Sequence, residues 1–211
     1  MTGHSERKDT IGWLGEMLAG QVLARDQTAG LTHNSMPDAD DPTIGISLHG
    51  NQVRIPEPDW TVSLPGGLLL RRREPKTFWV EVKAKTYFGY RKHWALATTG
   101  IENWILECYQ RLAEEYGRPV EVWFIQIFAR AQLPDGALIA LPGLLGGIYK
   151  ADIELLYSTR ERWGQMAYWP VQNGPFEVLN LMSELIKAPD TGATVQELRR
   201  VAERDATIKP Y

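Results

Sequence analysis

The stretch FWVEVKAKT, residues 78–86, alternates its side chains with the period of two that predicts a β-strand. One predicted face is wholly apolar and consists of Phe78, Val80, Val82 and Ala84. The other face carries charge and consists of Trp79, Glu81, Lys83 and Lys85. The charged face has two interpretations. It is either a solvated sheet edge on which Glu and Lys pair weakly, or a site that performs chemistry.

The segments before this strand predict an antiparallel meander. DWTVSLP (59–65) and LLLRRRE (68–74) are extended runs about a Gly-Gly turn, and the strand at 78–86 is the third run. A meander would bring Asp59 beside Glu81. Two convergent carboxylates, completed by water, a backbone carbonyl and a substrate phosphate, form the oxygen-rich site that Mg²⁺ needs. A lysine on the same face favours attack on that phosphate, because its charge stabilises the transition state.

The run IPEPDWTV (55–62) followed by FWVEVKAKT resembles the PD-(D/E)xK nuclease superfamily, which includes many restriction endonucleases and the archaeal Holliday junction resolvases. The order of a helix, a strand meander, a second helix and a further strand is similar over roughly residues 8–130. The last 80 or so residues lie outside the resemblance. It implies a restriction-endonuclease-like fold and a divalent metal, Mg²⁺ or alternatively Mn²⁺.

The resemblance also implies a role for each residue that matches the motif. Asp59 and Glu81 correspond to metal ligands, and the main-chain carbonyl of Val82 to a further ligand. Lys83 corresponds to the cation that orients the attacking water.

Glu16 is the only charged residue between Thr10 and Ala24, a segment whose apolar spacing predicts a helix. An unpaired buried carboxylate costs several kcal/mol unless a cation or a proton relieves it. Many members of the superfamily carry a helper acid on the first helix, and Glu16 resembles that residue. We therefore expect it in the catalytic and metal site. The alternative is a solvent-exposed Glu16 or one paired with an arginine.

Basic residues concentrate between Arg71 and His93, with eight basic side chains against two acidic ones in a chain of net charge −3. This asymmetry predicts a polyanion-binding surface beside the acids, where interleaved aromatic rings can stack on bases. The predicted nucleic-acid contacts are Arg71, Arg72, Arg73, Lys85, Tyr90, Arg91 and Lys92. Alternatively, the arginines protect a hairpin edge from aggregation and the aromatic residues belong to the core.

The rest of the chain predicts helices around a mixed sheet. A capping box at Thr99–Glu102 and a stop at Gly117 bound a second helix. The other predictions are a loop region at 27–58 with one candidate strand, a central strand at 120–128 with a neighbour at 137–142, a strand at 166–171, a helix at 175–188 and a last helix from a capping box at Thr194–Glu197 to Arg204. We expect an α/β (α+β) fold, a mixed sheet flanked by helices with C-terminal helical additions.

Composition excludes several classes of protein. The 211 residues include one cysteine, which excludes an intrachain disulfide framework, a cysteine zinc site and a four-cysteine iron–sulfur cluster. Because no apolar run reaches the roughly 20 residues that span a bilayer, we expect a soluble, cytoplasmic protein with no membrane partner. We expect a nuclease-like core at 1–150 and a strand and helix extension at 151–211 packed on it, forming one compact domain.

The sequence thus predicts a Mg²⁺-dependent endonuclease that hydrolyses phosphodiester bonds in DNA by in-line attack of a metal-activated water. A homodimer is a candidate assembly. Two alternatives stay open: a non-catalytic nucleic-acid-binding or assembly module that retains the nuclease fold, and a protein-interaction domain without nucleic acid. The choice between DNA and RNA, and between linear, branched and single-stranded substrates, also stays open.

Overall fold

Within residues 5–25, 29–34, 43–65, 76–92 and 95–207, which a computed structural model describes, the chain forms five helices and fourteen strands. The helices are α1 (Ser5–Leu23), α2 (Asn103–Tyr116), α3 (Ile153–Thr159), α4 (Met182–Leu185) and α5 (Gly192–Thr207). The strands are β1 (Gly30–His33), β2 (Thr43–Leu48), β3 (Asn51–Pro56), β4 (Trp60–Leu64), β5 (Lys76–Lys85), β6 (Phe88–Arg91), β7 (Leu96–Glu102), β8 (Val120–Gln126), β9 (Ala131–Gln132), β10 (Leu138–Ile139), β11 (Gly147–Asp152), β12 (Glu161–Trp163), β13 (Met166–Pro170) and β14 (Glu177–Leu181).

The first sheet has the strand order β1-β4-β5-β8-β11-β14. Strands β5 and β8 run parallel, and the other neighbours run antiparallel. The predicted central strand at 120–128 is confirmed as β8, which is apolar on both faces because helices cover both sides of the sheet. The predicted fold class, a mixed sheet flanked by helices, is confirmed.

The second sheet has the order β10-β9-β6-β7-β13-β12, and β2 and β3 form a separate hairpin. The two large sheets meet where β5 leads into β6 and β8 leads into β9. At this junction the Ile127 backbone N–H donates to the Lys85 carbonyl, and the Phe88 N–H donates to the Arg130 carbonyl. The end of β5 therefore lies at the border between the two sheets.

The apolar core consists of two clusters, one on each face of the first sheet. One cluster joins α1 and α5 to the sheet and includes Leu18, Val80, Ile125 and Leu198. The other joins the sheet to α2, the hairpin and the second sheet, and includes Trp79, Leu112, Phe124 and Trp169. Each fully buried apolar side chain of this size contributes about 1.5–3 kcal/mol to folding. Among the described helices, none is long and apolar enough to cross a bilayer.

The second helix is confirmed, but its predicted start is wrong. Thr99 and Glu102 lie in β7, where pairing with β13 holds the backbone extended, and α2 begins at Asn103 without a side-chain cap bond from Glu102. Gly117 ends α2 as predicted, with φ 59° and an N–H that donates to the Ala113 carbonyl. In α5, which begins at Gly192, Thr194 lies inside the helix instead of at its cap.

Three other predictions are wrong because strand partners override local periodicity. Residues 175–188 form β14 and the short α4 instead of one helix, because β14 pairs with β11. Leu138 and Ile139 pair with β9 in the second sheet, and the neighbour of β8 is β11. The described part of the region 27–58 contains three strands, where the sequence predicts a loop with one candidate strand. The predicted strand at 166–171 is confirmed as β13, whereas LLLRRRE at 68–74 lies outside the described residues.

Candidate active site

Asp59 and Glu81 lie side by side because β4 pairs directly with β5. Trp60 is opposite Val80, so Asp59, one residue earlier, faces Glu81, one residue later. The backbone N–H of Val82 donates a 2.6 Å hydrogen bond to Asp59 Oδ2 and holds this carboxylate against the strand. Glu81 is only 4% exposed and β5 is flanked by strands on both sides, so Glu81 does not lie on a solvated sheet edge.

Lys83 is the cation of the cluster. Its Nζ lies 2.5 Å from Glu81 Oε1, and its side chain is 25% exposed. Burial lowers the pKa of Lys83, but attraction to Glu81, the hydrogen bond with Glu81 and attraction to Asp59 outweigh burial, so that the pKa is raised. Lys83 therefore stays charged at neutral pH beside two carboxyl groups.

Asp59 carries an electrostatic penalty that its neighbours only partly offset. Burial raises the pKa of Asp59 well above its ordinary value, and repulsion from Glu81 and Glu16 raises it further. The Val82 N–H and Lys83 act in the opposite direction. The site therefore has an excess of negative charge, which a proton or a metal cation would relieve.

Glu16 reaches this cluster from α1, which approaches β5 closely. A Cβ atom at Gly15 would lie 2.7 Å from Cβ of Ala84, so a larger residue there would push the helix away. Burial raises the pKa of Glu16, repulsion from Glu81 adds to the rise, and a hydrogen bond with His33 opposes it. Glu16 thus belongs to the same electrostatic cluster as Glu81.

The partner of Glu16 is His33, and neither solvent nor an arginine takes that place. His33 Nε2 lies 2.9 Å from Glu16 Oε2, and the His33 ring stacks on Trp60 with 4.4 Å between ring centroids. The Trp60 indole N–H donates to the Glu16 backbone carbonyl at 3.2 Å. Sequence reasoning misses His33, because it lies in a region without a motif and meets Glu16 only through the pairing of β1 with β4.

Tyr109, on α2, supplies a further contact to the acids. Burial raises the pKa of Tyr109 well above its ordinary value, followed by repulsion from Glu81 and a hydrogen bond to Glu81. The phenol therefore stays protonated and donates to the Glu81 carboxylate. Sequence alone assigns Tyr109 no role. The one local signal that could have identified it is its place as a polar residue on the predicted second helix, which packs behind Glu81.

Asp59, Glu81, Lys83 and Tyr109 line one cavity of about 300 Å³. Trp104, which is 55% exposed, lies at its rim. Within the described ranges, no three His, Cys, Asp or Glu side chains converge closely enough to hold a metal ion. The donor chemistry nonetheless fits Mg²⁺, since Asp59 and Glu81 offer hard oxygen donors. Burial, together with repulsion from Glu81, raises the pKa of Asp59, and a cation would relieve both effects.

The predicted nucleic-acid contacts fall into different places. Lys85 lies at the end of β5, two residues beyond Lys83, and Arg91 and Lys92 lie at the end of β6. Tyr90 packs against the core instead of facing outward. The predicted contacts Arg71, Arg72 and Arg73 lie outside the described residues.

No protein-family model matches the chain, and no curated protein matches it in sequence. Among solved structures, the chain is similar to Hjc of Archaeoglobus fulgidus, a Holliday junction resolvase from an archaeal hyperthermophile, determined at 1.6 Å resolution. The similarity covers 73% of this chain and 84% of that chain, with 11% sequence identity and a TM-score of 0.37. A similarity at this level establishes neither a family nor an activity for this chain.

Proposed function

We propose that this chain is a divalent-metal-dependent nuclease that hydrolyses phosphodiester bonds in DNA, as an endonuclease. One observation carries the proposal: Asp59, opposite Glu81 across two paired strands, shares a cavity with Lys83, whose Nζ lies 2.5 Å from Glu81. A structural ion pair alone would need no second buried carboxylate beside it. The extra acid raises the electrostatic cost of folding, which a catalytic role for the cluster explains.

Asp59 and Glu81 would hold Mg²⁺ or Mn²⁺, with the Val82 carbonyl as a further donor and Glu16 as a helper acid. Such an ion, when bound, supplies an activated water nucleophile and neutralises charge on the scissile phosphate. The partners of these acids keep them oriented: the Val82 N–H holds Asp59, and His33 holds Glu16.

Lys83 and Tyr109 perform the remaining tasks. Lys83 brings a permanent positive charge to the wall of the cavity, where it can hold a phosphate oxygen and stabilise negative charge in the transition state. Tyr109 keeps the Glu81 carboxylate in one orientation through its protonated hydroxyl. Both act without reorganisation because the side chains are already positioned before substrate binds.

The test is cleavage of labelled duplex, branched and single-stranded DNA, with matched RNA, in Mg²⁺ or Mn²⁺. Wild type is compared with Asp59→Ala, Lys83→Ala and the control Lys150→Ala. Lys150 is also 25% exposed and pairs with Glu177 at 3.3 Å, but it lies on β11 and outside the cavity. We expect metal-dependent cleavage by wild type and Lys150→Ala, and none by the other two variants.

Three results would contradict the proposal. Cleavage that survives in Asp59→Ala and Lys83→Ala would place the activity elsewhere. Salt-dependent binding of nucleic acid without cleavage by wild type would favour a non-catalytic binding module. The absence of both cleavage and salt-dependent binding would favour a protein-interaction domain.

A further inference from the structure

The second sheet has one face in the core and one face directed outward. Phe88, Ala97 and Trp169 belong to the core cluster. Strand register pairs Gly89 with Thr98, Gly100 with Tyr168, and Met166 with Trp163, and paired residues share a face. The resulting outer face consists of Gly89, Arg91, Thr98, Gly100, Trp163, Met166 and Tyr168.

Arg91 and the rings of Trp163 and Tyr168 form a cluster on the outer face. The Arg91 guanidinium lies 3.9 Å from the ring centroid of Tyr168 and 5.3 Å from that of Trp163. Trp163 is 67% exposed, so its ring is largely open to solvent. A cation held between aromatic faces is the combination that binds the phosphates and bases of unpaired nucleotides.

A cleft of about 150 Å³ lies beside these rings, lined by Lys85, Tyr87, Gly89, Thr98 and Tyr168 among others. Thr98 is 1% exposed, and its hydroxyl has no hydrogen-bond partner among the described residues. A Cβ atom at Gly89 would lie 3.0 Å from this hydroxyl, so a larger residue at position 89 would press on it. A buried hydroxyl without a partner is costly, and a ligand atom in the cleft would satisfy it.

Two residues place the cleft near the candidate active site. Lys85 lines it and lies on the same face of β5 as Glu81 and Lys83. Glu102, on the strand that also carries Thr98, is close enough to Lys83 to contribute to its raised pKa. A strand whose phosphate lies at Lys83 can therefore extend onto the outer face.

We infer that the outer face binds an unpaired stretch of the substrate strand next to the scissile phosphate. Lys85 and Arg91 contact the phosphates, Trp163 stacks on a base, and Thr98 hydrogen-bonds one nucleotide in the cleft. Bases within a duplex are stacked on each other and cannot reach an exposed ring, so the preferred substrate carries a single-stranded overhang or flap. This inference rests on the proposed function only in taking nucleic acid as the substrate.

The test is binding of three labelled DNAs in EDTA, which prevents metal-dependent cleavage: a blunt duplex, the same duplex with a single-stranded overhang, and the single strand. Fluorescence anisotropy reports the dissociation constants. We expect wild type to bind the overhang duplex about tenfold more tightly than the blunt one. Trp163→Ala should abolish this preference, and Trp163→Phe, which keeps a ring, should restore most of it.

Arg91→Gln is compared with Arg118→Gln as a matched control. Arg118 also stacks on a ring, 4.2 Å from the Trp79 centroid, but it lies before β8 at the opposite end of the sheet from Lys85. Arg91→Gln should weaken overhang binding about tenfold, and Arg118→Gln should change it by less than about twofold. Thr98→Val should weaken binding of the overhang duplex and leave the blunt duplex unaffected.

The inference is overturned when blunt and overhang duplexes bind equally, when Arg91→Gln behaves like Arg118→Gln, or when wild type binds none of the DNAs. Cleavage with Mg²⁺, measured separately, decides the proposed function. Wild type that cleaves while the outer-face variants bind normally would refute the inference alone. Wild type that shows the overhang preference but never cleaves would refute the nuclease proposal alone.

Discussion

The two faces of β5 are both buried, yet they differ in what burial does. Phe78, Val80 and Val82 enter the apolar cluster under α1 and α5. One residue away on the opposite face, Glu81 is equally buried against α2. Alternation along a single strand thus separates a face that stabilises the fold from a face that collects charge.

Burial alone therefore does not indicate stabilisation. The apolar face contributes by removing hydrocarbon from water, about 0.8 kcal/mol for each methylene. The charged face collects acids, and burial together with their repulsion raises the pKa of Asp59, with Lys83 as a partial counter-charge. Substitutions on the first face should therefore change stability alone, and those on the second should change activity as well.

The largest expected effect comes from Lys83→Met. We expect the cleavage rate to fall by about 10²–10³-fold, because the transition state loses a cation. The same change leaves Glu81 buried without its ion-pair partner, which costs about 3 kcal/mol of stability. Cleavage assays and urea denaturation measure the two effects.

The double variant Glu81→Gln with Lys83→Met separates these effects. With both charges removed, most of the lost stability should return, while cleavage stays at or below the rate of Lys83→Met. A double variant that is as unstable as the single one would show that Lys83 supports the fold through contacts other than its pair with Glu81.

On the apolar face, Phe78→Ala tests the other half of the comparison. Removing this nearly buried ring should lower the free energy of unfolding by about 3 kcal/mol. Cleavage per folded molecule should stay unchanged at a temperature where the variant is folded. A loss of cleavage in the folded variant would mean that the two faces are not independent.

Sequence alone predicts the parts of this arrangement that depend on local patterns. The period of two in β5 separates its faces, and the order of Asp59 and Glu81 predicts their meeting. Asp59 and Glu81 meet without the predicted meander, because β4 pairs with β5 directly. The helical spacing and the glycine stop predict α2 to its last residue.

The missing parts depend on contacts between distant segments. Strand β14 has five residues, too few for its period of two to stand out from a helical period, and pairing with β11 decides the outcome. His33 meets Glu16 across 17 residues, and Tyr109 meets Glu81 through helix packing. That no described residue pairs with the Thr98 hydroxyl is visible only once three strands are aligned.

Tyr109→Phe should have a smaller effect than the loss of Lys83. Removing the hydroxyl takes a hydrogen bond from the buried Glu81 carboxylate, so we expect about 1.5 kcal/mol of lost stability and about tenfold slower cleavage. Tyr149→Phe is the control, because Tyr149 is equally buried and its hydroxyl donates to the Leu145 carbonyl at 2.5 Å, outside the cavity. Equal cleavage rates for Tyr109→Phe and wild type would show that Tyr109 has no role in cleavage.

The smallest effect, with the most informative sign, is that of Asp59→Asn on stability without metal. The raised pKa of Asp59 means that the folded state binds its proton more tightly than the unfolded state. The stability from this group is therefore complete below its ordinary pKa and is lost as pH rises through the raised pKa. Asparagine keeps an acceptor for the Val82 N–H but never ionises. We expect its melting temperature to exceed that of wild type by about 2–4 °C at neutral pH, with the difference vanishing in acid.

Asp190→Asn should show the opposite sign. Arg25 hydrogen-bonds this exposed carboxylate and lowers its pKa, so its stabilisation is present above its ordinary pKa and is lost as pH falls. Melting curves in EDTA between about pH 4 and pH 8 compare both variants with wild type. If Asp59→Asn destabilised the protein at neutral pH as Asp190→Asn should, the Asp59 carboxylate would stabilise the fold. The charged face of β5 would then be a structural ion cluster, and the contrast with its apolar face would disappear.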